Sequence, residues 1–139
     1  MSVRKSTAVW NGNLKEGKGN MVVGNGFYEG PYTFASRFES SAGTNPEELL
    51  GAAHAGCFSM ALSADLGNAG FSPKKVSTTA NVHLTNGPKI SLIELETVAE
   101  IPDIDEATFL KIAEGTKKNC PVSVALSAVE ITLKATLVK

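Results

Sequence analysis

TNPEELLGAAHAGCFSMALSADLGNAG, residues Thr44 to Gly70, decides how the rest of the chain is read. It opens as a helix does. Asn45 suits the cap, where its side-chain oxygen accepts from a free N–H of the first turn. Pro46 suits the first helical position, where no N–H is needed. Glu48 falls at the third helical position and can reach back to the cap, and Glu47 complements the positive end of the helix dipole. From Leu49 to Ala64 no charge follows for sixteen residues. A surface helix keeps one polar face. This one keeps almost none, so the pattern predicts a helix buried all round. Gly67 to Gly70 end it, and Pro73 stops it from resuming.

Leu50, His54, Cys57 and Ala61 are spaced by three or four residues and share one face of that helix. Glu47 lies roughly 80° around from Cys57, at about 15 Å along the axis. On a straight helix it cannot reach the Cys57 of its own chain. A long intermediary, a break near Gly51 or a second subunit would each close that gap.

Upstream, Ser2 to Trp10 and Asn20 to Val23 read as strands separated by Gly- and Asn-rich turns. Pro31 to Glu39 alternates, Tyr32, Phe34, Ser36 and Phe38 against Thr33, Ala35 and Arg37, and reads as a third strand. The first forty residues are therefore expected to form a β-meander. Downstream, Lys75 to Leu84 and Ile90 to Ile101 alternate around Asn86-Gly87-Pro88 and form a hairpin with one solvated face. Asp105 caps a second helix, stapled by Ile104 and Phe109. Phe109, Ile112, Ala113 and Thr116 form its inner face, continued by Cys120 until Pro121 interrupts. Val122 to Ser127 is a possible further turn, and Val129 to Val138 the last strand. The expectation is an α+β class, antiparallel β-sheets wrapped around a long buried central helix, in one domain over residues 1–139.

The net charge of −1 is spread evenly, without a basic stripe, which argues against nucleic acid as a partner. Arg4 and Lys5 are followed by no apolar run, so no secretory signal is expected. The uncharged stretch is short for a membrane span and rich in Gly, Ser and His, so no membrane partner is expected either. The chain reads as cytoplasmic, where two cysteines, Cys57 and Cys120, are more often reduced or redox-active than stapled. Two cysteines and two histidines show no zinc-type spacing, so no metal is expected.

Each candidate for chemistry has an ordinary role beside the functional one. A buried cysteine is commonly inert packing; both thiols, however, sit on inward helix faces and could meet in one core. Arg37 reads first as a surface cation. Beside a thiol it would lower the thiol's pKa and donate to an oxyanion or peroxide, and Glu47 is available to orient it. His54, one turn before Cys57, could pair with it. Its ordinary role is a core histidine with one satisfied hydrogen bond, since no group to orient a base is visible.

Three segments stop being generic. NPEELLGAAHAGCFSMALS (45–63), PYTFASRFESSAGT (31–44) and NCPVSVAL (119–126), followed by the strand VEITLKATL, closely resemble the OsmC/Ohr family of organic hydroperoxide reductases, on the OsmC side. One departure is Gly56, where the family is expected to carry Ala. The resemblance implies a thiol peroxidase without metal or other cofactor, acting in oxidative and osmotic stress defence. It makes Cys57 the peroxidatic cysteine, Cys120 the resolving one, Arg37 the activating cation and Glu47 the carboxylate that holds Arg37. It further implies a Cys57–Cys120 disulfide, an external dithiol reductant, and an intertwined homodimer with active sites at the subunit interface. Leu50, Phe58 and Met60 would favour organic hydroperoxides over hydrogen peroxide. Two rival readings remain. One is a non-enzymatic stress-induced domain that binds a small apolar ligand. The other is a general thiol–disulfide oxidoreductase, which lacks here the usual C-x-x-C.

Overall fold

The computed structural model describes residues 2–139, which divide into two compact units, one up to Leu49 and one from Leu50. In the first, β1 (Ser6–Asn11), β2 (Lys18–Val23) and β3 (Tyr28–Tyr32) form an antiparallel meander in the order β1-β2-β3. Trp10, Gly19 and Tyr32 stand side by side across it. The two rings sit 5.3 Å apart over the glycine. A Cβ at residue 19 would come within 2.4 Å of the Tyr32 ring, so only glycine lets these rings meet.

The strand expected over Pro31 to Glu39 stops at Tyr32, and a short helix α1 (Phe34–Phe38) replaces its second half. The reason is local. Ser36 N–H donates to Thr33 Oγ1 (3.0 Å) and Thr33 N–H donates to Ser36 Oγ (2.9 Å), a reciprocal cap that outweighs the alternating pattern. Arg37 therefore stands on a helical turn, not on a strand.

The long helix α2 (Pro46–Asn68) is continuous and begins as expected, with Glu48 N–H donating to Asn45 Oδ1 at 2.8 Å. It ends as expected too: Phe71 N–H reaches back to Leu66 O, and Gly70 takes a positive φ of 93° that suits glycine.

In the second unit, β4 (Lys75–Thr85) and β5 (Lys89–Glu100) form the hairpin, with a bulge at His83/Leu84. Next come α3 (Glu106–Asn119), capped by Asp105, then α4 (Pro121–Ala125) and β6 (Glu130–Val138). The α+β class holds. One expectation changes: β6 pairs with β5 in parallel, so this sheet is mixed rather than antiparallel. The two helices between β5 and β6 are the crossover that a parallel pair requires. The core joins Phe58, Leu62 and Leu66 of α2 to Ile93, Leu95 and Ala99 of β5 and to Phe109, Ala113 and Cys120.

Nor is α2 buried all round. Its covered stripe runs through Gly51, His54, Phe58, Leu62 and Leu66, while Ala52, Ala53, Gly56, Met60 and Ala64 are exposed. Met60 keeps 78% of its surface. By length and composition α2 is long and apolar enough to cross a membrane. Ser59 and Asp65 tie it instead to its own fold, through Thr78 on β4 and Thr116 on α3.

Candidate functional site

Of the four expected site residues, Arg37 and Glu47 meet in the first unit. Ser36, held by the α1 cap, donates through Oγ to Thr44 O at 2.8 Å, and its carbonyl accepts from Asn45 Nδ2 at 3.0 Å. These bonds fasten α1 to the start of α2 and set Arg37 against Glu47. The guanidinium grips the carboxylate with Nη2 at 2.8 Å and Nε at 3.1 and 3.3 Å. The Glu47 side chain is 8% exposed and that of Arg37 34%. A carboxylate nearly out of water holds the fork, while the rest of the guanidinium faces outward. Phe38 stacks below, its ring centroid 5.2 Å from Arg37 Cζ. Trp10, Leu14, Tyr32, Phe34 and Phe38 complete, around Arg37, an open cavity of about 210 Å³.

The second pair, Cys57 and Cys120, meets in the second unit, with both thiols free. Cys120 ends α3 and caps α4. From there its thiol lies close enough to Cys57 on α2 to influence that thiol's ionisation, as does the backbone N–H of Val122, and Cys57 packs against the buried core that includes Cys120. Burial pushes the Cys57 thiol above its ordinary value, the backbone N–H of Val122 opposes this, and the neighbouring Cys120 pushes it higher. Nothing within this unit makes Cys57 a ready thiolate.

His54 is fully buried. Its Nε2 lies 2.8 Å from Ser123 Oγ, which lies 3.2 Å from Cys120 Sγ; Ser123 N–H also donates to that sulfur, at 3.4 Å. Burial lowers the imidazole below its ordinary value. The expected core histidine with a hydrogen bond is there, but Nδ1 has no partner among the described residues. Phe58 points into the core and Met60 outward, so the apolar setting expected from Leu50, Phe58 and Met60 is not one surface.

Ser123 and the aromatic cavity beside Arg37 were missed in the sequence. The signal for Ser123 was present. Cys120-Pro121-x-Ser123 repeats the cap, first-position proline and third-position spacing of Asn45-Pro46-x-Glu48. Among the described residues no three His, Cys, Asp or Glu side chains are placed to hold a metal ion.

A family model described as OsmC-like protein matches residues 38–134, which include Glu47, Cys57 and Cys120 and begin one residue after Arg37. The chain is 49% identical over 134 residues to the peroxiredoxin OsmC of Escherichia coli strain K12, covering 94% of this chain and 93% of that protein. Among solved structures, an OsmC-like protein from Mycoplasma pneumoniae matches with a TM-score of 0.76 at 18% identity, over 99% of both chains. The organic hydroperoxide resistance protein OhrB of Bacillus subtilis matches with a TM-score of 0.65 at 19% identity, over 96% of this chain and 97% of that one. At such identities the structures speak for the fold.

Proposed function

The chain belongs to the OsmC-like protein family, and on that footing we propose that it is a cysteine-based peroxidase that reduces organic hydroperoxides to alcohols. The observation that carries this reading is the meeting of Cys57 with Cys120, 63 positions apart in sequence, in a chain 49% identical to a peroxiredoxin. The Cys57 thiolate attacks the distal oxygen of ROOH. The O–O bond breaks, RO⁻ takes a proton and leaves as ROH, and Cys57 becomes a sulfenic acid. Cys120 then attacks the Cys57 sulfur, expelling water and closing a disulfide. An external dithiol reopens it by exchange, and the reducing cytosol is where such a dithiol is maintained.

The thiolate needs a cation, because its own surroundings raise the Cys57 pKa. Arg37 is the candidate. It is tied to Glu47, and α2 is continuous from Glu47 to Cys57, so about 15 Å of helix rise separates the two. We therefore assign the cation at each Cys57 to Arg37 of a second copy of the chain. The uncovered apolar face of α2, with Met60 at its centre, supports such a homodimer. The aromatic cavity beside Arg37 supports an apolar R group on the peroxide.

Peroxide consumption with excess dithiol tests the reading on wild type, Cys57→Ser and Cys120→Ser, with tert-butyl hydroperoxide against hydrogen peroxide. The expected result is faster turnover of the organic peroxide, lost in both variants, with sulfenic acid trapped on Cys57 in Cys120→Ser. Equal, negligible consumption by all three proteins would return both cysteines to packing. Full activity from a monomer at low micromolar concentration would remove the second copy from the site.

A further inference from the structure

His54 is completely buried on α2, yet the reaction above gives it no task. Its Nε2 faces Ser123 Oγ at 2.8 Å, and its Nδ1 faces no partner among the described residues. That asymmetry sets the tautomer. A buried N–H without an acceptor is rarer and costlier than a bare lone pair, so the proton sits on Nε2 and Nδ1 is bare. Nε2–H then donates to Ser123 Oγ. The single Ser123 hydroxyl proton is left for the other neighbour, Cys120 Sγ, at 3.2 Å. Ser123 N–H points at the same sulfur from 3.4 Å. Two donors of one residue thus converge on Cys120, and the histidine fixes the direction of one of them.

We propose that Ser123 and His54 are positioning residues for the resolving half of the cycle, holding the Cys120 sulfur as a double acceptor so that it attacks as a thiolate. This rests on the peroxidase reading above. A sulfur that accepts hydrogen bonds is stabilised in its charged form, and the thiolate is the species that attacks in disulfide formation. In the step itself, the Cys120 sulfur bonds to the Cys57 sulfur and the S–O bond of the sulfenic acid breaks. The departing hydroxide takes up the proton that Cys120 has given up and leaves as water. Cys120 is oxidised, the sulfenic sulfur is reduced, and no other oxidant enters. The same two donors receive Cys120 when it leaves as a thiolate during reduction by the external dithiol. Among the described residues, Cys57 influences this sulfur's neighbourhood and His54 reaches it through Ser123, both from α2. Asp65, also on α2, is engaged by Thr116, one turn before Cys120.

Single-turnover mixing of the full-length reduced protein with one equivalent of tert-butyl hydroperoxide separates the two steps. Sulfenic acid formation on Cys57 reports the first, and loss of the trappable sulfenic acid with disulfide closure reports the second. In Ser123→Ala, disulfide closure is expected to slow by about tenfold, the loss of one hydrogen bond to a charged acceptor. Its rate–pH profile should move up by about one pH unit. Ser123→Thr, which keeps the hydroxyl, should restore both. His54→Leu should slow the same step by a smaller factor, because it acts through Ser123, and it carries the test if Ser123→Ala does not fold. An unchanged closure rate and pH profile in Ser123→Ala and His54→Leu, while wild type closes its disulfide normally, overturns this inference alone. Absence of sulfenic acid and disulfide in wild type overturns the peroxidase reading itself.

Discussion

Glu47→Gln isolates what the carboxylate does for Arg37. The substitution keeps the side-chain length and one carbonyl oxygen, but it removes the charge and places an amide NH₂ where Arg37 needs an acceptor. Of the three contacts of 2.8 to 3.3 Å, the two to Oε1 are left on an uncharged amide oxygen and the one to Oε2 is lost. A hydrogen bond to a charged group contributes about 1.5–3 kcal/mol, and breaking a fully buried ion pair costs about 3–5 kcal/mol. Glu47 is nearly covered at 8% exposure, but Arg37 keeps 34% and is screened by water on its side. The lower range applies, about 2 kcal/mol. On stability that amounts to a drop of roughly 4–8 °C in Tm for a chain of this size. On chemistry, if the same energy holds the guanidinium aimed at the peroxide, it amounts to roughly thirtyfold in the rate of Cys57 oxidation. The assay is the second-order rate of sulfenic acid formation with tert-butyl hydroperoxide, beside a thermal melt. Disulfide closure, in which Glu47 has no part, should keep its rate. A Glu47→Gln protein with the wild-type oxidation rate would refute the aiming role, whatever its Tm.

Two further outcomes follow from the titrations. In a Cys120→Ser background, iodoacetamide alkylation reads Cys57 alone; adding Arg37→Met should displace its rate–pH profile upward, and coincident profiles would sever Arg37 from Cys57. Stability should fall as pH drops below about 6.5, because burial holds His54 below its ordinary value, so the unfolded chain binds a proton that the folded one refuses. That contribution is fully present above the unfolded pKa and is lost toward the lower folded value. Asp105, held low by Thr108, acts with the same sign only below about pH 4. Urea midpoints for wild type and His54→Leu between pH 5 and 8 should show the slope in the first and a flatter line in the second; parallel lines would remove His54 as its source.

Long-period patterns were legible in the chain. The alternation in β4, β5 and β6 and the caps at Asn45 and Asp105 appear where the residues put them. What failed was short or depended on the rest of the fold. Pro31 to Glu39 alternates by residue type, but Thr33 and Ser36 satisfy each other's backbone over one turn, and two such bonds settle so short a segment. The direction of β6 cannot be read from its own alternation, since either partner orientation buries the same face; only the crossover through α3 and α4 sets it. The uncharged run of α2 reads as burial on all sides, yet small residues such as Ala52, Ala53 and Gly56 leave one side apolar without filling it. At the site, the residue types named the two pairs, but Ser123 escaped because a serine in a five-residue helix carries no periodic signal.

The two halves of the proposed cycle place opposite demands on one thiol, and the chain meets only one of them within its second unit. The first turn of α4 serves both sulfurs: the Val122 N–H favours the charged form of Cys57, and the Ser123 N–H donates to Cys120. Proline at residue 121 costs that turn nothing, because its missing N–H would have been free anyway. Such a turn suits disulfide closure, in which both sulfurs must approach and one must carry charge. It does not suit attack on a peroxide, since burial and the neighbouring Cys120 both push the Cys57 pKa up. In the proposed homodimer, the Arg37 of a second chain would resolve this conflict. A guanidinium beside the Cys57 sulfur would lower that thiol's pKa where substrate binds. The Arg37–Glu47 pair, nearly buried at the carboxylate and about a third open at the guanidinium, leaves a guanidinium face free for such a contact.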